Sequence, residues 1–154
     1  MCSVLYTIVL QKLVAFTEYG DRPLLIVYDL ESNKRRKVLR CAEFKSKEVI
    51  SLAFSHDSKY LLAQGSEPDF QLVYFFWEKG KVITTSKTVT SSAGSVTEVS
   101  YNPKDHDVVC IIGKGIFRMC RLIEGKIPEM FYCGWMDNIL RGLTFSYSPI
   151  LWIL

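Results

Sequence analysis

The residues that invite a chemical reading are two histidines, five cysteines and one lysine framed by glycines. His56 and His106 are the histidines, and each lies in a polar, turn-like run. A metal centre needs convergent ligands at set spacings. No third ligand stands at such a spacing, so turn histidines are the simpler reading. The cysteines are Cys2, Cys41, Cys110, Cys120 and Cys133. Their number is odd and no pair is spaced CxxC, which argues against a disulfide framework and a zinc ribbon. Free, buried thiols in a reducing compartment fit better. Gly113-Lys114-Gly115 is too short for a phosphate-cradling loop, which needs four residues between its glycines and a Lys-Ser/Thr after them. A tight hairpin is its expected role. There is no Gly-x-Ser-x-Gly elbow and no sign of a nucleophile, base and orienting group meeting in space. The expectation is a chain with no catalytic residues, no metal site and no cofactor.

Two short segments could instead make contacts. Lys34-Arg35-Arg36-Lys37, with Arg40 behind it, is the one basic cluster. Such a run reads as a solvated loop, a nuclear signal or a contact for an acidic partner. Glu67-Pro68-Asp69-Phe70 places an apolar ring beside a proline and two acids. Phe70 there is either an exposed anchor or the first packed residue of a strand.

What positions these segments follows from the pattern of the chain. Of its 154 residues, 49% are apolar, 13% aromatic and 23% charged, ample for a core and unlike a disordered chain. Net charge is +3 from 19 basic and 16 acidic residues, near balance, so nucleic acid is not an expected partner. The apolar start, residues 1–10, lacks a positive n-region and a cleavage site, and it is too short to span a membrane. A soluble, intracellular protein is expected, with no small-molecule substrate.

Short runs rich in Val, Ile, Phe and Tyr alternate with turn residues throughout, as strands do, and no helical periodicity stands out. The runs repeat. Residues 28–34 match 75–81, and residues 49–55 match 96–102, both 47 apart; Glu78-Lys79-Gly80-Lys81 matches Ile123-Glu124-Gly125-Lys126, 45 apart. Periods near 40–45 residues, with four strands each, are the mark of propeller blades. Within one repeat, strand a is 49–54, b is 59–64, c is 71–77 and d is 81–88. The third repeat follows at 96–101, 107–112, 115–122 and 126–132. The first offers b to d at 12–18, 23–30 and 37–44, with Val4 to Val9 for strand a. On this division, residues 1–48 are a first, partial blade, 49–95 a second and 96–135 a third. Residues 136–154 open a fourth repeat and end in an apolar tail. The basic cluster then falls in the first c–d turn, and Ser91-Ser92-Ala93-Gly94-Ser95 is a flexible d–a link.

Phe54-Ser55-His56-Asp57-Ser58-Lys59-Tyr60-Leu61-Leu62-Ala63 resembles the a–b turn of WD repeats. Ile26-Val27-Tyr28-Asp29-Leu30 resembles the end of strand c, where Trp-Asp names the family and Tyr28 here replaces the Trp. The set Leu61-Leu62-Ala63-Gln64, Leu72-Val73-Tyr74 and Trp77 to Val82, with Lys34 to Leu39 upstream, is similar to the N-terminal propeller of cilia- and flagella-associated WD-repeat proteins. The likeness covers roughly residues 12–132. It implies an all-β, partial WD-repeat-like propeller of about three four-stranded antiparallel blades. It also implies an axonemal scaffold with tandem propellers and coiled coil that helps dock or regulate dynein arms, its partners being axonemal or cytoskeletal proteins. The alternative is a cytoplasmic or nuclear WD-repeat adaptor.

The departures are specific. Phe75-Phe76 and Cys120-Arg121 replace Trp-Asp in the later repeats, and no Gly-His precedes a strand a. The Asp–His–Ser–Trp hydrogen-bond network of the family is therefore not expected, and packing must carry more of the stability. A ring also needs at least four blades. With about three, and with an uncharged, β-prone end over residues 142–154, the chain reads as a truncated or alternative product of a longer protein with little independent activity. A principal endogenous transcript encoding this chain, together with autonomous folding, would overturn that expectation.

Overall fold

The computed structural model describes residues 4–10 as backbone, and 12–40, 42, 44–89, 94–105 and 107–122 in full. Eleven strands form three antiparallel sheets, and no helix occurs among the described residues. The first sheet is β1 (Val4–Leu10), β2 (Leu13–Glu18), β3 (Leu24–Asp29) and β4 (Lys34–Arg40), in chain order. The second is β5 (Val49–Phe54), β6 (Tyr60–Gly65), β7 (Gln71–Phe76) and β8 (Lys81–Lys87), again in chain order. The third is β9 (Ser95–Tyr101), β10 (Val108–Lys114) and β11 (Ile116–Arg121). Its expected outer strand at 126–132 and the tail at 136–154 lie outside the described residues, as do His106 and residues 90–93.

The first strands of the three sheets, β1, β5 and β9, lie side by side, so the sheets radiate from one line. That explains why β6 and β7 read as unbroken apolar runs rather than alternating ones. Leu61, Ala63, Val73 and Phe75 pack with Ala15, Leu25, Val27 and Leu39 of the first sheet. Leu62, Leu72 and Tyr74 point the other way, onto Val96, Val99, Val109 and Ile111 of the third. A strand buried on both faces loses its polar alternation. The middle sheet is the core of the molecule.

The 47-residue period recurs in the irregularities as well as in the strands. In each later sheet the first strand carries one extra residue where it meets the second. Ile50 sits between the pairs Val49↔Gly65 and Ser51↔Gln64, and Thr97 between Val96↔Gly113 and Glu98↔Ile112. The outer strands bulge in step too, at Arg36 and at Ile83. Bulges of this kind bend a strand and raise its twist. Asn33 (φ 51°) and Gly80 (φ 68°) hold the same left-handed place in the turns before β4 and β8.

One boundary differs from expectation. Lys34-Arg35-Arg36-Lys37 does not lie in a turn but begins β4, with Lys34 opposite Asp29 and Arg35 opposite Tyr28. The turn shrinks to residues 30–33 because Asp29 Oδ1 accepts from the Glu31 and Ser32 N–H groups at 2.9 and 3.1 Å. An Asx turn with a left-handed Asn closes the hairpin two or three residues early. The hairpin at Lys114-Gly115 is as tight as expected: Gly113 pairs with Ile116, and Gly115 takes φ 69°.

A single hydroxyl joins the second and third sheets at their inner strands. Ser51 Oγ, fully buried, accepts from the Val99 N–H at 2.9 Å and approaches the Val99 carbonyl at 3.4 Å. A buried N–H stripped of its acceptor costs about 1–3 kcal/mol. Ser51→Ala is therefore expected to lower stability by about 1–2 kcal/mol, whereas Ser66→Ala should fall within about 0.5 kcal/mol. Ser66 Oγ only reaches the next carbonyl of its own exposed loop, at 3.4 Å. Urea midpoints of both variants check the contrast.

Candidate interaction surfaces

The strands run alternately up and down, so their connections divide between two faces. The a–b turn of the second sheet meets the c–d turn on one of them. There the Trp77 indole N–H donates to the Ser58 carbonyl at 2.6 Å, and the Trp77 ring stands edge-on to Phe54, centroids 6.3 Å apart. The opposite face carries the b–c loops. Gly20 N–H donates to Lys47 O and Ser66 N–H to Glu48 O there, at 3.0 and 3.1 Å.

The two segments singled out as contacts do not come together. Glu67, Pro68, Asp69 and Phe70 form the b–c loop that leads into β7, and the Glu67–Pro68 peptide bond is cis. Lys34, Arg35, Arg36 and Lys37 begin β4, on the a–b/c–d side. Phe70 is half-buried and packs on the cluster shared by the second and third sheets. Its N–H donates to Ser66 O at 3.0 Å, and its carbonyl accepts from Thr88 N–H and Oγ1 at 3.0 and 2.5 Å. Arg118 of β11 donates in turn to the Thr88 carbonyl at 2.8 Å. Phe70 thus anchors the loop, and the exposed tip is Glu67-Pro68 with Asp69 half-exposed.

Along the basic segment, Lys34, Arg35 and Arg36 are exposed and Lys37 is half-buried. Arg36 Nε lies 3.7 Å from Asp29 Oδ2. The Ser32 N–H first of all holds the Asp29 carboxyl below its usual range. Some desolvation opposes it, and the Glu31 N–H and Arg36 assist.

The a–b turn of the second sheet holds the most polar detail. Ser55 Oγ accepts from the Tyr60 N–H at 2.9 Å and donates to Asp57 Oδ1 at 2.6 Å, and the Lys59 N–H donates to Asp57 Oδ1 at 3.1 Å. Burial is the largest influence on Asp57 and pushes its carboxyl up, but Ser55 and Lys59 together outweigh it and hold the group low. Asn102, the counterpart of Ser55 one repeat on, caps Lys104 and Asp105 through Oδ1 at 2.8 and 3.2 Å. His56 Nε2 meets the Asn102 carbonyl at 3.0 Å, and its ring lies edge-on to Tyr101 at 6.4 Å. The sequence gives His56 no role beyond the turn; the structure makes it a bridge between neighbouring sheets. Among the described residues, Trp77, Ser55, Asp57 and His56 tie these turns. Only Trp77, the one large ring just beyond a strand c, signals this in the sequence.

No group of three or more His, Cys, Asp or Glu that could hold a metal occurs among the described residues. Nor is any helix among them long and apolar enough to cross a membrane. Cys110 and Cys120 are free and buried on adjacent strands. Burial first, then Glu98 and Cys120, pushes the Cys110 thiol up to about 12. Burial likewise raises Cys120. The thiolate is the reactive species. At pH 8 a maleimide should therefore modify Cys110 about a thousandfold more slowly in the folded chain than in urea, as read by peptide mass mapping. Equal rates would mean that β10 and β11 do not pack as described.

Three radiating antiparallel sheets around a line of inner strands make this an arc of a β-propeller. The β-propeller domain of Cps50 (Swd1) from Myceliophteria thermophila superposes with a TM-score of 0.57 at 18% identity, over 73% of this chain and 33% of that one. Its relatives are cilia- and flagella-associated WD-repeat proteins. The chain is 37% identical over 135 residues to mouse cilia- and flagella-associated protein 57, matching 86% of this chain and 10% of that protein. It is 28% identical over 126 residues to protein 57 C of Tetrahymena thermophila and 25% identical over 147 residues to mouse cilia- and flagella-associated protein 43. The chain thus spans about a tenth of the length of these curated relatives: 10%, 10% and 8%. No family model matches it.

Proposed function

We propose that the chain is a non-enzymatic protein-interaction scaffold that works in the axoneme of cilia or flagella, in support of dynein-arm assembly or regulation. The observation that carries this reading is the 37% identity to a cilia- and flagella-associated protein across 86% of the chain. The architecture supports it. The polar groups of the turns are spent on one another rather than converging on a pocket, and the exposed features are loops and strand edges, which suit protein partners. Residues 1–48, 49–95 and 96–135 are taken as successive blades, and other proteins as the partners.

The test is fractionation of ciliated cells that express the tagged chain. Retention with axonemes after detergent extraction supports the reading. Full release with the soluble matrix, or exclusion from cilia in favour of nuclei, overturns it and favours an adaptor role elsewhere.

A further inference from the structure

The basic residues of β4 do not stand alone on their face. The Lys37 side chain lies against the c–d turn of the second sheet, its Cε 3.0 Å and its Nζ 3.4 Å from where a β-carbon on Gly80 would sit. Lys79 and Lys81 flank that glycine, and both are exposed. Lys79 Nζ rests 4.8 Å from the centre of the Phe76 ring. Lys34, opposite Asp29 and so on the same side as Lys37, continues the strip along β4, while Arg35, opposite Tyr28, faces the other side. Arg36 is engaged with Asp29, but among the described residues Lys34, Arg35, Lys37, Lys79 and Lys81 form no ion pair. The acids beside the strip are Glu78 in the second c–d turn, and Asp29 and Glu31 at the first, where Asp29 meets Arg36 and Glu31 meets Lys12. Two segments 40 to 50 residues apart in the chain thus build one positive rim across two sheets.

β4 is also the last strand of its sheet, in the order β1-β2-β3-β4. Its outer edge presents backbone N–H and C=O groups to no other described strand. Such an edge is a template for an added strand, and side chains on it select what is added. We infer that this rim receives an extended acidic polypeptide, which pairs with the edge of β4 while its carboxylates meet Lys34, Lys37 and the Lys79–Lys81 turn. Alternate side chains of an added strand share one face, so a segment with an acid at every second position turns all its carboxylates to the side on which Lys34, Lys37 and the Gly80 turn lie. Nucleic acid fits less well. It has no use for a strand edge, and the Phe76 ring is already covered by Lys79, and Tyr28 by Phe16, instead of being open for base stacking.

This inference rests on the scaffold reading, and its test separates the two. The probe is a fluorescent 12-residue peptide of alternating Glu and Thr, compared with a Gln-Thr peptide and an oligo-dT strand, by anisotropy with the full chain. The acidic peptide is expected to bind at least about tenfold more tightly than its neutral counterpart, and less so as salt rises. Hydrogen exchange at β4 amides should slow when it binds. Lys34→Glu/Lys37→Glu should cost about tenfold or more in affinity, while Lys45→Glu/Lys47→Glu on the opposite face should leave it unchanged. Circular dichroism confirms that each variant is folded. Binding that ignores peptide charge overturns the inference. So does oligo-dT binding of equal strength with no β4 protection, or equal loss in the two charge-reversed variants. Axonemal retention of the β4 variant together with any of these would leave the scaffold reading standing without the rim.

Discussion

Gly113→Ala is expected to destabilise the chain more than any other single methyl addition in the described residues. A β-carbon on Gly113 would fall on the carbonyl oxygen of Ser95 and lie 2.7 Å from Val96 Cα. Both obstacles are backbone, so no side-chain rotation relieves them. β9 and β10 would have to part at the very place where Thr97 bulges out and Gly113 faces Val96. Overpacking where only backbone can yield costs about 3 kcal/mol, the upper part of its usual range. Gly65 is the matching residue of the second sheet, opposite Val49, and a methyl there meets Ser46 Oγ at 2.6 Å and the Phe44 ring at 2.7 Å. Those are side chains, so Gly65→Ala should cost less, about 1–2 kcal/mol. Gly20 has nothing within 4 Å of an added carbon and serves as a control, with an effect within about 0.5 kcal/mol. Urea unfolding of the three variants checks the order. If Gly113→Ala matched Gly20→Ala, the β9–β10 register would be wrong.

That pair of glycines also shows what the sequence discloses. The 47-residue offset is legible because strands and turns reuse residue types: Val49 to Phe54 against Val96 to Tyr101, and Asn33 against Gly80. Apolar runs and β-branched content place the core of each described strand, and most ends fall within two residues of expectation. The misplaced cluster at Lys34 to Lys37 shows the opposing physics. Four consecutive cations look like a solvated loop because charge and loops correlate, but an outer strand has one exposed edge and a solvated side that tolerate lysine and arginine. The decision lay with Asp29 and Asn33, whose turn chemistry was legible and outranks charge. Phe70 was undecidable locally, because its burial depends on Thr88 and on the third sheet, both remote in sequence. The inter-sheet bonds of Ser51 and His56 were equally hidden. Their partners are backbone groups of Val99 and Asn102, which leave no mark on residue type.

The period makes positions equivalent without making them equal, and this gives the second large effect. Tyr28, in β3, and Phe75, in β7, occupy the same place in successive repeats. Phe75 is 1% exposed and lies within the cluster between the first and second sheets, among the largest fully buried side chains. Tyr28 is half-buried, on the face of the first sheet turned away from the second, and its described ring partner is Phe16, stacked at 5.8 Å. Deleting a buried phenylalanine ring costs about 3–5 kcal/mol, because transfer free energy and a cavity add. Phe75→Ala is therefore expected to lose that much, enough to unfold a marginal domain. Tyr28→Ala should lose about 1 kcal/mol, mainly the stacking with Phe16. Phe76→Ala, one residue on but half-buried beneath Lys79, should resemble Tyr28→Ala rather than Phe75→Ala. Equilibrium unfolding with one shared slope measures all three. Equal losses for Phe75 and Phe76 would mean that the sheets do not stack face to face. A large loss at Phe75 alone would show that one sheet's apolar face is completed by the next, as a propeller arc requires.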